Sequence, residues 1–72
     1  MMIKVLIVED ESLIRWSLVQ KFKERHYQVA EAENGKEAMA CLAEGPFDLI
    51  LLDFRLPDTT GLDILRLIHE SD

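Results

Sequence analysis

Residues 47–61 read Phe-Asp-Leu-Ile-Leu-Leu-Asp-Phe-Arg-Leu-Pro-Asp-Thr-Thr-Gly, and this stretch decides the fold. The apolar run Leu49, Ile50, Leu51, Leu52 ends in the carboxylate of Asp53, and Pro57 and Gly61 follow. A short apolar run closed by turn formers is a buried strand that opens into an irregular loop. In an open α/β sheet, ligands bind in the crevice beyond the C-terminal ends of the strands. Asp53 is therefore the candidate reactive group. An Asp at such a place is equally a turn former or a helix cap. The chemical role is favoured by a second acidic cluster, Glu9 and Asp10, which ends the other strongly apolar run in the same manner. Two parallel strands finishing at one sheet edge would bring the three carboxylates together.

Upstream, residues 3–8 are apolar except for Lys4, the β-branched and nearly continuous pattern of a central strand covered on both faces. Ile14, Leu18, Val19 and Phe22 then recur at helical spacing to about Arg25. Trp16 falls on the flank of that stripe and is expected to touch a neighbouring helix rather than to serve a site. Residues 27–32 alternate weakly and carry polar groups, which suits an edge strand. Asn34 with Glu37 forms a capping-box start, and Ala38, Met39 and Leu42 make the inward face of a helix that Gly45 and Pro46 stop. Met39 is read as core, not as a metal-binding thioether. The run 49–52 reads as a second central strand. Thr60 and Asp63 repeat the cap signature and open a last helix with Ile64, Leu65 and Ile68 inward. His69 lies in the final turn and His26 in the polar turn before the second strand, and neither is assigned chemistry. Strand and helix alternate three times, which predicts an α/β fold with a parallel sheet and right-handed crossovers.

Seventy-two residues make one small domain, and a chain of this size buries only about 60–65% of its unfolded surface. Fourteen acidic against eight basic residues give a net charge of −6, and no basic stripe exists to neutralise phosphates, so a nucleic-acid partner is disfavoured. Cys41, the single cysteine, reads as a small buried hydrophobe in a reducing, cytoplasmic setting. No run approaches the roughly 18 apolar residues of a membrane span, and residues 1–4 lack the basic start of a signal peptide, so no membrane association or export is expected. Three converging carboxylates would keep at least one proton near neutrality unless a cation neutralises them. All-oxygen donors with few protein contacts favour Mg²⁺, with Mn²⁺ a substitute. An EF-hand is excluded, because residues 53–58 lack its ligand spacing.

Taken together, Val8-Glu9-Asp10-Glu11, Asn34-Gly35-Lys36-Glu37-Ala38 and Asp48-Leu49-Ile50-Leu51-Leu52-Asp53, with Leu56-Pro57-Asp58 and Gly61, resemble the receiver domain of two-component response regulators. The resemblance extends over essentially the whole chain. It implies a flavodoxin-like (CheY-like) fold, here three βα units in strand order 2-1-3. It further implies that Asp53 accepts a phosphoryl group from a sensor histidine kinase and that Asp10 and Asp53 ligate Mg²⁺ directly. The backbone carbonyl of Arg55 completes the protein ligands. Glu9, standing where many receivers carry Asp, is expected to act through water. Such a module controls an output such as transcription and is not a turnover enzyme. The wording of residues 12–18 and 53–58 looks more like receivers of enhancer-binding activators than like chemotaxis regulators.

Receivers continue through a fourth and fifth strand carrying a switch Ser or Thr, a switch aromatic and a Lys, so residues 1–72 are expected to be an N-terminal portion. With strand one between two and three, the far side of strand three lacks a neighbour, and self-association through it is expected. Two other readings stay open: an assembly module whose acidic site is idle, and a metal-dependent phosphatase. The phosphatase is disfavoured, because haloacid-dehalogenase-like enzymes place an Asp where Arg55 stands.

Overall fold

The computed structural model describes residues 2–70. β1 (Lys4–Val8), α1 (Ser12–Glu24), β2 (Gln28–Ala32), α2 (Gly35–Glu44), β3 (Leu49–Leu52) and α3 (Gly61–Glu70) follow one another in the alternation expected. The sheet is parallel with order β2-β1-β3, the α/β arrangement read from the sequence. The chain steps from β1 to β2 in one direction and from β2 past β1 to β3 in the other. With both crossovers right-handed, α1 must lie on one face and α2 on the opposite one.

Alternation along β1 divides the core accordingly. Leu6 and Val8 pack with Ala32, Ala38 of α2 and Ile64 of α3, while Val5 and Ile7 pack with Val19 of α1. β1 is buried on both faces, from Val5 to Val8, because it is the strand with neighbours on either side. Leu6, fully buried and central, is the kind of residue whose truncation to Ala costs about 2–5 kcal/mol.

Four readings of the pattern are corrected. Leu49–Leu52, expected to be central, lies at the end of the sheet opposite β2, and Leu49 is 40% exposed. Ile14, Met39 and Leu65, expected to face inward, are exposed because each sits at the margin of its helix's apolar stripe, beyond the reach of a three-stranded sheet. Trp16, expected against another helix, is 60% exposed. Cys41 is half-buried against the α2 side of the core rather than fully enclosed.

Both expected caps form. The Glu37 N–H donates to Asn34 Oδ1 at 2.8 Å, and the Asp63 N–H to Thr60 Oγ1 at 3.2 Å. In the first of these the reciprocal bond differs from the ideal capping box, since Glu37 Oε1 accepts from the Glu33 N–H. α1 closes by backbone alone: the Tyr27 N–H reaches Phe22 O and the His26 N–H reaches Lys23 O. This is the paired pattern of a Schellman motif, with the Phe22 and Tyr27 rings stacked 5.8 Å apart as its apolar contact. The motif requires a left-handed residue, and His26 supplies it at φ 64° without being glycine.

His26→Gly removes the side-chain clash of that conformation, at the expense of added freedom in the unfolded chain. We expect a net gain of roughly 0.5–1 kcal/mol in urea denaturation at constant m-value. Destabilisation by the same change would show that the imidazole makes a contact worth more than the backbone strain.

Candidate functional site

The register of the sheet assembles the site. Val8 pairs with both Ala32 and Leu52, so the three strands end flush. One more rung follows on each side: the Glu9 N–H donates to Ala32 O at 3.0 Å, and the Asp53 N–H to Val8 O at 2.9 Å. Glu9 and Asp53 are thereby neighbours on adjacent strand ends, and Asp10 follows at the start of the β1–α1 loop. Carboxylate oxygens of Glu9, Asp10 and Asp53 all lie within 4.8 Å of one another. The sequence expectation that the three acids converge is met.

The loop after β3 is strapped down at several points. The Arg55 N–H turns back to Asp53 Oδ1 at 3.2 Å, the Leu56 N–H bonds Thr59 O, and the Gly61 N–H bonds Phe54 O at 2.8 Å. Arg55 and Thr60 form an isolated antiparallel bridge, and the Arg55 side chain is exposed. Asp58 reaches across to α2, its two carboxylate oxygens accepting from Gly35 N–H at 2.7 Å and Lys36 N–H at 3.0 Å. These bonds, Gly35 foremost, hold the Asp58 carboxyl below the usual carboxylate range. The N-terminus of α2 is thus capped twice, by Asn34 from its own chain end and by Asp58 from the loop after β3. Gly61 is required by space: a Cβ there would lie 2.6 Å from the carbonyl oxygen of Asp53.

Crowding of like charge sets the electrostatics. Burial first, then a hydrogen bond to Asp53 and the charges of Asp53, Asp10 and Glu11, raise the Glu9 carboxyl from 4.5 to about 7. Asp53 moves the other way, lowered by the hydrogen bond from Glu9 and next by the Arg55 N–H. The two form one coupled pair in which Glu9 keeps the proton and Asp53 stays ionised. An ionised Asp53 bonded on one oxygen by a backbone N–H is chemically a competent nucleophile or cation ligand. The donor set suits a hard divalent cation: oxygen atoms only, close enough for one ion to span, and short of positive charge.

Two contributors have no signature in the sequence pattern. Asp58 entered only as part of the Leu56-Pro57-Asp58 stretch of the receiver resemblance, without a role, since its partners in α2 lie 22 and 23 residues away. Arg15 was legible only as a polar position on α1, whereas its Nη1 donates to the Glu9 carbonyl at 2.7 Å.

The family model described as the response regulator receiver domain matches residues 5–72. The transcriptional regulatory protein ResD of Bacillus subtilis is 45% identical over 68 residues, which are 94% of this chain and 28% of ResD. The response regulator protein PilR of Pseudomonas aeruginosa is 45% identical over 67 residues, 93% of this chain and 15% of PilR. The chain thus spans less than a third of the length of either relative. Among solved structures, the response regulator protein TrrA of Thermotoga maritima in complex with Mg²⁺-BeF superposes at a TM-score of 0.92 with 35% identity. It covers 99% of this chain, which spans 62% of that one. TrrA in complex with the histidine kinase ThkA gives 0.91. Among the described residues no helix is long and apolar enough to cross a membrane.

The Glu9 proton yields a pH dependence. Its folded pKa of about 7 exceeds the ordinary 4.5, so the folded state holds a proton that the unfolded state releases. The associated stability is fully present below pH 4.5 and is lost as pH rises through 7. Asp53, shifted downward, acts only at the acidic end, where stability is lost as pH falls below its ordinary 3.8. In chelator, we expect the urea midpoint to decline between about pH 5 and 8 and the decline to vanish in Glu9→Gln. A midpoint that stays level or climbs across that range in the parent chain contradicts the shared proton.

Proposed function

This chain belongs to the response regulator receiver domain family, and on that premise we propose that it is a phosphoacceptor module in which Asp53 takes a phosphoryl group from a sensor histidine kinase. The observation that carries the proposal is the ionised carboxylate of Asp53, set at a strand end within an acidic cluster and held by the Arg55 N–H. An Asp53 oxygen attacks the phosphorus of a phosphohistidine in line. The new P–O bond forms as the P–N bond breaks, and the imidazole nitrogen leaves with the electron pair and takes a proton. The product is an acyl phosphate. The chain promotes its own modification and is not a turnover enzyme.

Asp10 and Asp53 would hold a divalent cation directly, Mg²⁺ by preference and Mn²⁺ as substitute, with Glu9 contributing through water and Arg55 through its backbone carbonyl. When bound, the cation offsets negative charge on the transferring group. The residues do the rest: the loop straps hold Asp53 in place, and Glu9 gives up its proton as the acids become fully ionised. TrrA, solved both with Mg²⁺-BeF and with a histidine kinase, supports a cation and a kinase as the partners. ResD, a transcriptional regulatory protein, supports a transcriptional output.

One observation favours a second reading, an assembly module with an idle acidic site. Among the described residues β1 is the only strand paired with β3, and Leu49 of β3 is exposed together with Phe54, Leu62 and Leu65. In that reading the 72-residue chain associates through β3.

Intact mass spectrometry after treatment with a small phosphodonor and Mg²⁺ separates these readings. We expect one stable phosphoryl adduct on the parent chain and none on Asp53→Asn, with unchanged circular dichroism, since the amide keeps the shape and loses the nucleophile. Steady release of inorganic phosphate would indicate an enzyme, and an unmodified parent the idle site. Sedimentation at several concentrations addresses association: mass should rise with concentration for the 72-residue chain. A monomer at every concentration removes the β3 contact.

A further inference from the structure

Arg15 lies in the second turn of α1, and its side chain is only 15% exposed although it carries a full charge. The guanidinium is spread over three partners from three segments. Nη1 donates to the backbone carbonyl of Glu9 at 2.7 Å, Nε donates to Glu31 Oε1 of β2 at 3.3 Å, and Nη2 lies 3.8 Å from Glu33 Oε2 in the β2–α2 loop. The bond to Glu9 is the short, charge-assisted one. Both ion pairs have half-exposed carboxylates, a setting in which such pairs add little to stability. A partly buried arginine spending its best donor on a carbonyl beside the acidic cluster needs another account.

We propose that Arg15 is the positioning residue of the acidic site, fixing Glu9 and Asp10 against Asp53 by holding the peptide that joins them, while Glu31 and Glu33 orient its guanidinium. The peptide unit is rigid, so fixing its oxygen fixes the direction of the Asp10 end as well. The Glu9 N–H is already tied to Ala32 O, and Arg15, by its bond to the Glu9 carbonyl, extends the restraint to the next peptide of the β1–α1 loop. Its planar fork can serve the carbonyl and Glu31 at once, which a lysine ammonium on a flexible stem cannot do with the same geometry. Through Glu31 and Glu33, the end of β2 and the start of the β2–α2 loop are coupled to the site.

The inference rests on the cation-binding reading above, and the experiment keeps the two apart. Mg²⁺ affinity is measured by calorimetry for the 72-residue chain, Arg15→Lys, Arg15→Gln, Glu31→Gln and the Arg15→Lys/Glu31→Gln double variant. Metal-free amide spectra and melting temperatures are recorded alongside. We expect both Arg15 variants to bind Mg²⁺ about tenfold more weakly, within the range for residues that orient metal ligands. The Glu9 and Asp10 amides should shift even without metal. Glu31→Gln should weaken binding on its own but add nothing further in the Arg15→Lys background, because its effect passes through Arg15. A lowered melting temperature with unchanged Mg²⁺ affinity and unmoved Glu9 and Asp10 amides would make Arg15 a purely structural tie and overturn the inference. Additive losses in the double variant would likewise overturn it, since they would mean that Glu31 acts by its own charge. If the parent chain binds no Mg²⁺, the cation reading fails, and the metal-free Glu9 and Asp10 shifts alone decide whether Arg15 positions the loop.

Discussion

The in-register pairing of β1 with both neighbours is the constraint on which the rest depends. Because Val8 sits opposite Leu52, the residues that follow, Glu9 and Asp53, cannot avoid each other. The same ladder that buries Val5, Leu6, Ile7 and Val8 drives three carboxylates into a space of 4.8 Å. Folding therefore builds electrostatic repulsion at the sheet edge as a consequence of making the core. In the absence of a cation the repulsion is relieved by a proton, and Glu9, the most desolvated of the cluster, carries it. A bound cation would relieve the same repulsion without a proton, so that cation and proton would compete for one site.

A cluster that repels itself must be held from outside, and the surrounding bonds do this. Asp53 is pinned by Val8 O behind it and by the turn to Arg55 in front, while Gly61 lets its carbonyl pass close by. Asp58 anchors the far end of the loop to α2. Glu9 is pinned at its N–H by β2 and at its carbonyl by Arg15. Glu9 and Asp53 are thus fixed through their backbones, Asp53 also through Oδ1, which accepts from the Arg55 N–H. A local conflict sustained by well-bonded surroundings is what physical consistency leads one to expect at a functional position.

The alternation of strands and helices and the convergence of the acids were legible because both follow from short-range pattern, whereas the strand order 2-1-3 came from the receiver resemblance. A nearly continuous apolar run marks β1, a polar alternating run marks the edge strand β2, and an acid at the end of each apolar run marks the site. Asn34 with Glu37 and Thr60 with Asp63 capped as read, since a cap involves residues three apart. Ile14, Met39 and Leu65 were misjudged for a reason equally physical. Helical period tells which side of a helix is apolar, but not how wide a surface exists to cover it. The run Leu49–Leu52 failed similarly, as its composition says what could flank the strand and not what does. Asp58 and Arg15 were illegible because polar contacts between distant surface positions leave no periodic trace.

Manganese is the direct probe of the central claim that one hard cation is held by the acids at the ends of β1 and β3. Amide resonances of the isotope-labelled chain are recorded with substoichiometric Mn²⁺, whose unpaired electrons broaden only nearby nuclei. The expected result is selective loss of the Glu9, Asp10, Asp53 and Arg55 signals, reversed by excess Mg²⁺, with Glu24, Glu44 and Glu70 untouched. Even broadening across these surface acids, or a focus away from residue 53, would contradict the account.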